Sequence, residues 1–297
     1  MEFEIITAGL STPEGPLVCD DGSVILVEVA AGRITRVLPD GRKQLVADTG
    51  GGPNGIAVGP DGALYCCNSG GIDHENIDLE AGFAPPAPDY TGGTIQRVDP
   101  ATGKVEVLLS GYEGRNFGGP NDIIFAADGT FWFTDFGKWM PDANRHGGLY
   151  HASIDGKMLR QVAYGTCLNG VGLSPDGQTA YAAATAERWM LSYKTDPAAG
   201  RQRGEVVANF PGRQFLDSMA MEASGVIAVG CLLEGHGIGR VDPASGAVAL
   251  VPTPDRMPTN ICFGGADMRT AYITFSERGA LAKCRWPVPG MRLPFNL

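Results

Sequence analysis

The chain reads GGPNGIAVGPDGALY over residues 51–65 and GGPNDIIFAADGTFW over residues 118–132. Each stretch runs Gly-Gly-Pro-Asn, a short apolar segment, an Asp-Gly pair and a second apolar segment. Asp-Gly between two β-prone runs marks a tight hairpin turn. The phrase therefore encodes two antiparallel strands, with an asparagine (Asn54 or Asn121) at the start of the first.

Looser copies stand elsewhere: EGPLVCDDGSVIL (14–26), NGVGLSPDGQTAYA (169–182), DSMAMEASGVIAV (217–229) and NICFGGADMRTAYI (260–273). The six openers are Glu14, Asn54, Asn121, Asn169, Asp217 and Asn260, spaced by 40, 67, 48, 48 and 43 residues. A period of about 40–50 residues built from paired short strands indicates propeller blades. GTIQRVDPATGKVEVLL (93–109), GGLYHASIDGKMLRQVA (147–163) and GIGRVDPASGAVALV (237–251) supply the outer strand pairs. The expectation is an all-β fold: one six-bladed β-propeller over residues 1–297, with four-stranded blades around a central channel. The last blade is one strand short before Trp286. An open ring would leave an unpaired edge, so Phe3–Thr7 is expected to complete it. The Pro-rich tail from Pro287 is expected to lie across the surface.

Composition agrees. The chain has 43 Gly and 21 Pro in 297 residues and only 19% charged residues, which suits many short strands and turns. A net charge of -10 disfavours a nucleic-acid partner, because a polyanion needs a basic surface. Seven scattered cysteines without C-x-x-C read as buried, reduced thiols of a cytoplasmic protein. The start, MEFEIITAGL, lacks signal-peptide character. No apolar run approaches the roughly 18 residues that span a bilayer, so no membrane partner is expected.

The first strand of a propeller blade lines the channel, so six openers aim at one small volume. One Glu, one Asp and four Asn are costly to desolvate together. Ordered waters could satisfy them. A hard cation fits better, since Ca²⁺ takes carboxylate and amide oxygens. The absence of His and Cys among the openers disfavours a typical Zn²⁺ or Cu²⁺ site. One divalent cation is therefore expected, Ca²⁺ first, with Mg²⁺, Mn²⁺ or Zn²⁺ as alternatives. His74, His146 and His236 fall in loops on the same face and become candidate substrate contacts, whereas His151 falls in a strand as a packed residue. G-x-S-x-G and Walker loops are absent, and the Gly-rich turns lie between strands, unlike dinucleotide loops.

P-E-G-P around Glu14, G-P-N-D around Asn121, LNGVGLSPDG from Leu168, LDSMAM from Leu216 and TNICFGG from Thr259 resemble the regucalcin (senescence marker protein)/gluconolactonase family over nearly the whole chain. The resemblance implies a six-bladed propeller with one divalent ion in its channel and, in many members, lactone hydrolysis. It implies Glu14, Asn169 and Asp217 as metal ligands, with Asn121 as a ligand or a contact to substrate. Asn54 and Asn260 join the candidate substrate contacts from the repeat alone. The sugar-lactone branch of that family has an Arg where this chain has Gly119.

The expected chemistry is metal-assisted opening of a lactone or related ester to a hydroxy acid. Asp217 and Asn121 are the candidate catalytic residues, with Asp217 as general base or nucleophile. The loop of residues 68–92 reads as a lid, with Phe83, Pro85, Pro86 and Tyr90 as its apolar part. Phe136, Trp139 and Met140 add to the rim, and Trp139 is a candidate substrate contact. That rim suggests a less polar lactone or ester. A phosphotriesterase-like hydrolase and a non-enzymatic calcium-binding propeller are the competing readings.

Overall fold

The computed structural model describes residues 1–78, 84–138, 147–165 and 167–297. Six four-stranded antiparallel sheets stand around one axis. Blade one is Pro13–Val18, Val24–Glu28, Arg33–Val37 and Lys43–Asp48. Blade two is Pro53–Val58, Leu64–Asn68, Thr94–Val98 and Val105–Leu109. Blade three is Pro120–Phe125, Phe131–Asp135, Gly147–Ala152 and Leu159–Gly165. Blade four is Leu168–Leu173, Thr179–Ala184, Trp189–Lys194 and Glu205–Asn209. Blade five is Gln214–Met221, Ile227–Leu233, Gly237–Val241 and Val248–Pro252. Blade six is Pro258–Gly264, Thr270–Phe275, Ala280–Arg285 and, as outermost strand, Glu4–Thr7. Among the described residues the only helices are two short 3₁₀ turns, and none is long and apolar enough to cross a membrane.

The first strands of the six blades are neighbours in ring order, and blade six meets blade one. Closure is by the expected N-terminal strand, with Glu4 opposite Lys283, Ile5 opposite Ala282 and Thr7 opposite Leu281.

The inner strands are apolar on both faces because each blade is covered on both sides. Alternate side chains serve alternate neighbours. Ile25 and Val27 pack toward blade two, whereas Val24 and Leu26 join Leu281 of blade six. Leu64 and Cys66 face blade one, whereas Tyr65 and Cys67 face blade three. The result is six wedge-shaped cores, one between each pair of adjacent blades. The wedge between blades two and three is aromatic, with Phe117 edge-on to Phe133 at 5.3 Å and Phe133 stacked on Tyr150 at 5.0 Å. All seven cysteines are free thiols, and all but Cys262 are buried.

The C-terminal tail lies across one face, as expected, but is also anchored there. The Met291 N–H donates to the Met221 carbonyl, and the Asp20 N–H to that of Leu297. Phe295 sets its ring edge on Phe125 at 5.9 Å. These partners sit at the far ends of the first strands, so the tail covers the channel end opposite the openers. A cavity of about 510 Å³ remains above it, walled by Ile123, Val171, Met219 and Phe263 and reaching Asp122 and Asn260.

Candidate functional site

Every first strand loses register with its neighbour around its opener. The breaks fall between Glu14 and Leu17, Pro53 and Ile56, Pro120 and Ile123, Leu168 and Val171, Leu216 and Met219, and Pro258 and Asn260. A bulge re-aims the side chain it carries, here toward the axis. In three blades the next position is a glycine with no room for a side chain. A Cβ on Gly15 would stand 2.5 Å from the Asn54 carbonyl oxygen, one on Gly55 2.6 Å from the Asp122 Cα, and one on Gly170 2.7 Å from the Asp217 carbonyl oxygen. Glycine after the opener lets adjacent blades bring their openers together.

Four of the openers then contact one another in pairs, Glu14 with Asn260 and Asn169 with Asp217. The Asn260 amide Nδ2 donates to Glu14 Oε2 at 2.9 Å, and the Gly15 N–H to the same oxygen at 2.6 Å. Asn260 Oδ1 accepts the Ile261 N–H at 2.7 Å. Asn260 is thus engaged at both ends and orients Glu14. Ser218 donates to Asn169 Oδ1 at 3.4 Å, and the Asn169 side chain also bonds Asp217.

Burial pushes the Glu14 carboxyl up to about 7, against the hydrogen bonds from Asn260 and Gly15. Burial and the neighbouring Glu14 hold Asp217 well above the usual carboxylate range. Asp122, which follows the blade-three opener, is pushed up to about 7 by burial and by Glu14. Its two oxygens accept the Ile123 N–H at 2.9 Å and the Val171 N–H at 3.1 Å.

Three buried oxygens at this centre have no hydrogen-bond partner: Glu14 Oε1, Asn54 Oδ1 and Asn121 Oδ1. All three are acceptors. A buried acceptor left unsatisfied costs about 1–3 kcal/mol, and three beside mutually repelling carboxylates ask for positive charge. Oxygen-only donors of this mixed charge fit a hard divalent cation. Among the described residues no three His, Cys, Asp or Glu side chains gather into a metal cluster of their own. Amide oxygens would therefore have to complete the shell.

The loops hold the remaining candidates. His236 is half-buried and donates Nδ1–H to the Leu233 carbonyl at 3.0 Å, which leaves Nε2 as an acceptor. His74 is exposed, and burial of its ring nonetheless lowers its pKa. Trp139 and His146 lie outside the described residues, as do Phe83 and Met140. The Tyr90 hydroxyl donates to the Gly118 carbonyl at 2.6 Å, so this rim aromatic fastens its loop to the turn before Asn121. His151 is buried in its strand and stacked on Trp132 at 4.6 Å.

A set of clamps escaped the sequence reading. In blades one to three the residue ending the second strand holds the turn leading to the opener. Glu28 Oε2 accepts the Ser11 N–H at 2.9 Å. Asn68 Oδ1 accepts the Gly52 N–H at 3.0 Å. Asp135 accepts the Gly118, Gly119 and Gly137 N–H groups at 2.9, 2.6 and 2.9 Å. Each is a polar residue ending an apolar run, at one repeated position, and that is the signal by which the repeat could have located them.

Comparison with known proteins follows this geometry. The family model described as SMP-30/Gluconolactonase/LRE-like region matches residues 12–277. A gluconolactonase of Zymomonas mobilis is 26% identical over 64% of this chain and 54% of its own. A 6-deoxy-6-sulfogluconolactonase of Pseudomonas putida is 30% identical over 54% of this chain and 56% of its own. The chain thus spans about half the length of these curated relatives. Among solved structures, a gluconolactonase from Xanthomonas campestris superposes with a TM-score of 0.77 at 23% identity, covering 96% of this chain and 89% of that one. A calcium-binding regucalcin from Agrobacterium tumefaciens gives 0.74 at 18% identity, covering 97% and 94%. At these identities the structural likeness establishes the fold alone.

Proposed function

The chain belongs to the SMP-30/gluconolactonase/LRE-like family, and from that premise we propose that it hydrolyses a lactone to a hydroxy acid with the help of one divalent cation, Ca²⁺ in the first instance. The three partnerless oxygens of Glu14, Asn54 and Asn121 carry this reading. The curated relatives named as gluconolactonases favour a sugar lactone over the less polar ester that the aromatic rim suggested.

In the proposed site Glu14, Asn121, Asn169 and Asp217 hold the cation. Bound there, it supplies the positive charge that stabilises the oxyanion developing on the lactone carbonyl. Asn260 fixes Glu14 by one oxygen and leaves the other without a partner. Asp217 acts as general base. It takes a proton from the attacking water as the new C–O bond forms, and it returns that proton to the ring oxygen as the old bond breaks. Beside the cation its carboxylate is kept ionised and so able to accept that proton. Asn54, with its free amide oxygen, accepts a hydrogen bond from a substrate hydroxyl, and His236 Nε2 is a second acceptor on the rim.

The test is turnover on parallel panels of lactones and phosphotriesters, with and without EDTA. Lactone hydrolysis that EDTA abolishes and added Ca²⁺ restores is the expected outcome. Phosphotriester turnover alone would instead favour the related hydrolase, and lactone turnover indifferent to EDTA would refute the cation's part.

A further inference from the structure

Between blades two and three the rim contains a lysine that the mechanism above does not use. Lys138 is only 7% exposed. Its Nζ donates to the Ser69 carbonyl at 3.1 Å and lies 5.0 Å from the centre of the Tyr90 ring. Among the described residues it has no ion-pair partner. Asp135, three residues earlier, is already occupied by three backbone N–H groups. An ammonium has three donors, and only one of these finds an acceptor among the described residues. Beside it Ser69, also 7% exposed, keeps a buried hydroxyl with no partner.

These two groups adjoin the turns that lead to two of the openers. The Ser69 N–H donates to the Gly52 carbonyl at 2.8 Å. A Cβ on Gly52 would come within 2.6 Å of Ser69 Oγ, and one on Gly119 within 3.8 Å of Ser69 Cβ. Gly52 and Gly119 each lie two residues before an opener, Asn54 and Asn121. The ammonium and hydroxyl therefore flank the two turns from which these asparagines enter the channel.

A buried cation whose nearest described counter-charge, the Asp135 carboxyl, acts on it only at a distance is expensive to maintain. Its desolvation has already been met in folding, so an incoming anion has only its own to meet. Burial lowers the Lys138 pKa to about 8, and the group stays charged at neutral pH. Three carboxylates, Glu14, Asp122 and Asp217, against one divalent cation leave the channel beyond net acidic, so an anionic group remote from the reacting carbonyl is better placed at the Lys138 ammonium.

We propose that Lys138 Nζ, with Ser69 Oγ, forms a subsite for an anionic group (carboxylate, sulfonate or phosphate) that the substrate carries away from its lactone carbonyl. The remainder of that substrate rests on the lactonase reading. The subsite determines specificity and takes no part in bond cleavage.

The test uses a lactam pair that resists hydrolysis: 6-oxopiperidine-2-carboxylate and its primary amide, each titrated calorimetrically into the calcium-supplemented protein. The wild type should bind the carboxylate about 10- to 100-fold more tightly than the amide, the range for a hydrogen bond to a charged group. Lys138→Met should bring that ratio to about one, and Ser69→Ala should reduce it severalfold. Equal affinities in the wild type, binding of neither compound, or a preference that survives Lys138→Met would overturn the proposal. Equal affinities or no binding in the wild type overturn the proposal whether or not a variant folds, and should Lys138→Met fail to fold, an unchanged preference in Ser69→Ala overturns it. Turnover of neutral lactones judges the lactonase reading separately. Turnover without the preference removes only the subsite, and the preference without turnover removes only the lactonase.

Discussion

Glu14 is held at one oxygen by Asn260 and Gly15 and has no partner at the other. That asymmetry defines the centre at the scale of single residues, because it fixes the carboxylate while leaving it a lone-pair direction to use. Asp217 lies in the same field, and both groups are buried like charges. Function and stability should therefore pull apart at this position. Asp217→Asn is expected to lower kcat by at least about 10³-fold, as loss of a general base and ligand together would. In EDTA the same variant should melt higher than the wild type by ~2–4 °C for each kcal/mol of repulsion relieved. A variant that melts lower in EDTA would show that the carboxylates do not repel. The openers were legible in the sequence because they recur at one place in each repeat. Asp122 was not singled out, although it stands where three other blades carry glycine, and that departure was the clue.

At the scale of the strand and its turn, the same device appears in blades one to three. Glu28, Asn68 and Asp135 each end a second strand and tie down the turn ahead of an opener. Hydrophobic periodicity finds strands but not such clamps, because their partners are backbone groups brought near only by the hairpin. Blade three also carries a titratable element. Arg160 Nε donates to His151 Nδ1 at 3.1 Å, so the other ring nitrogen bears the proton toward Thr130 at 2.8 Å. Burial and the Arg160 charge push His151 down to about 4. The unfolded histidine titrates near 6.5, so the folded chain binds fewer protons between these values. The stabilisation is fully present above about 6.5 and is lost as pH falls toward about 4. Stability measured by urea unfolding should therefore drop across that window by about 1–3 kcal/mol more in the wild type than in His151→Gln. Parallel pH profiles for the two proteins would contradict the assignment.

The molecule as a whole is a ring in which each blade depends on its neighbours, and one strand from the N-terminus completes the last. The sequence made this closure legible through simple counting, since blade six ends one strand short. It could not reveal the anchoring of the tail, which depends on Phe125 and Met221, each at the end of a first strand of a different blade, receiving Phe295 and Met291, nor the Lys138–Ser69 pair, which joins two blades. Removing residues 1–7 should expose the edge of Ala280–Arg285 and the apolar side chains near Leu281. The shortened protein should melt at least ~5 °C lower and aggregate at concentrations where the full chain stays monodisperse; an unchanged melting curve would mean that the ring closes without that strand. The central claim, that Glu14, Asn121, Asn169 and Asp217, distant along the chain, converge to hold one cation, is tested most directly by calorimetric titration of EDTA-stripped protein with Ca²⁺. One ion per chain should bind to the wild type, and Glu14→Gln should weaken that binding by about 100-fold or more. Absence of binding, or equal affinity in the two proteins, would contradict the account.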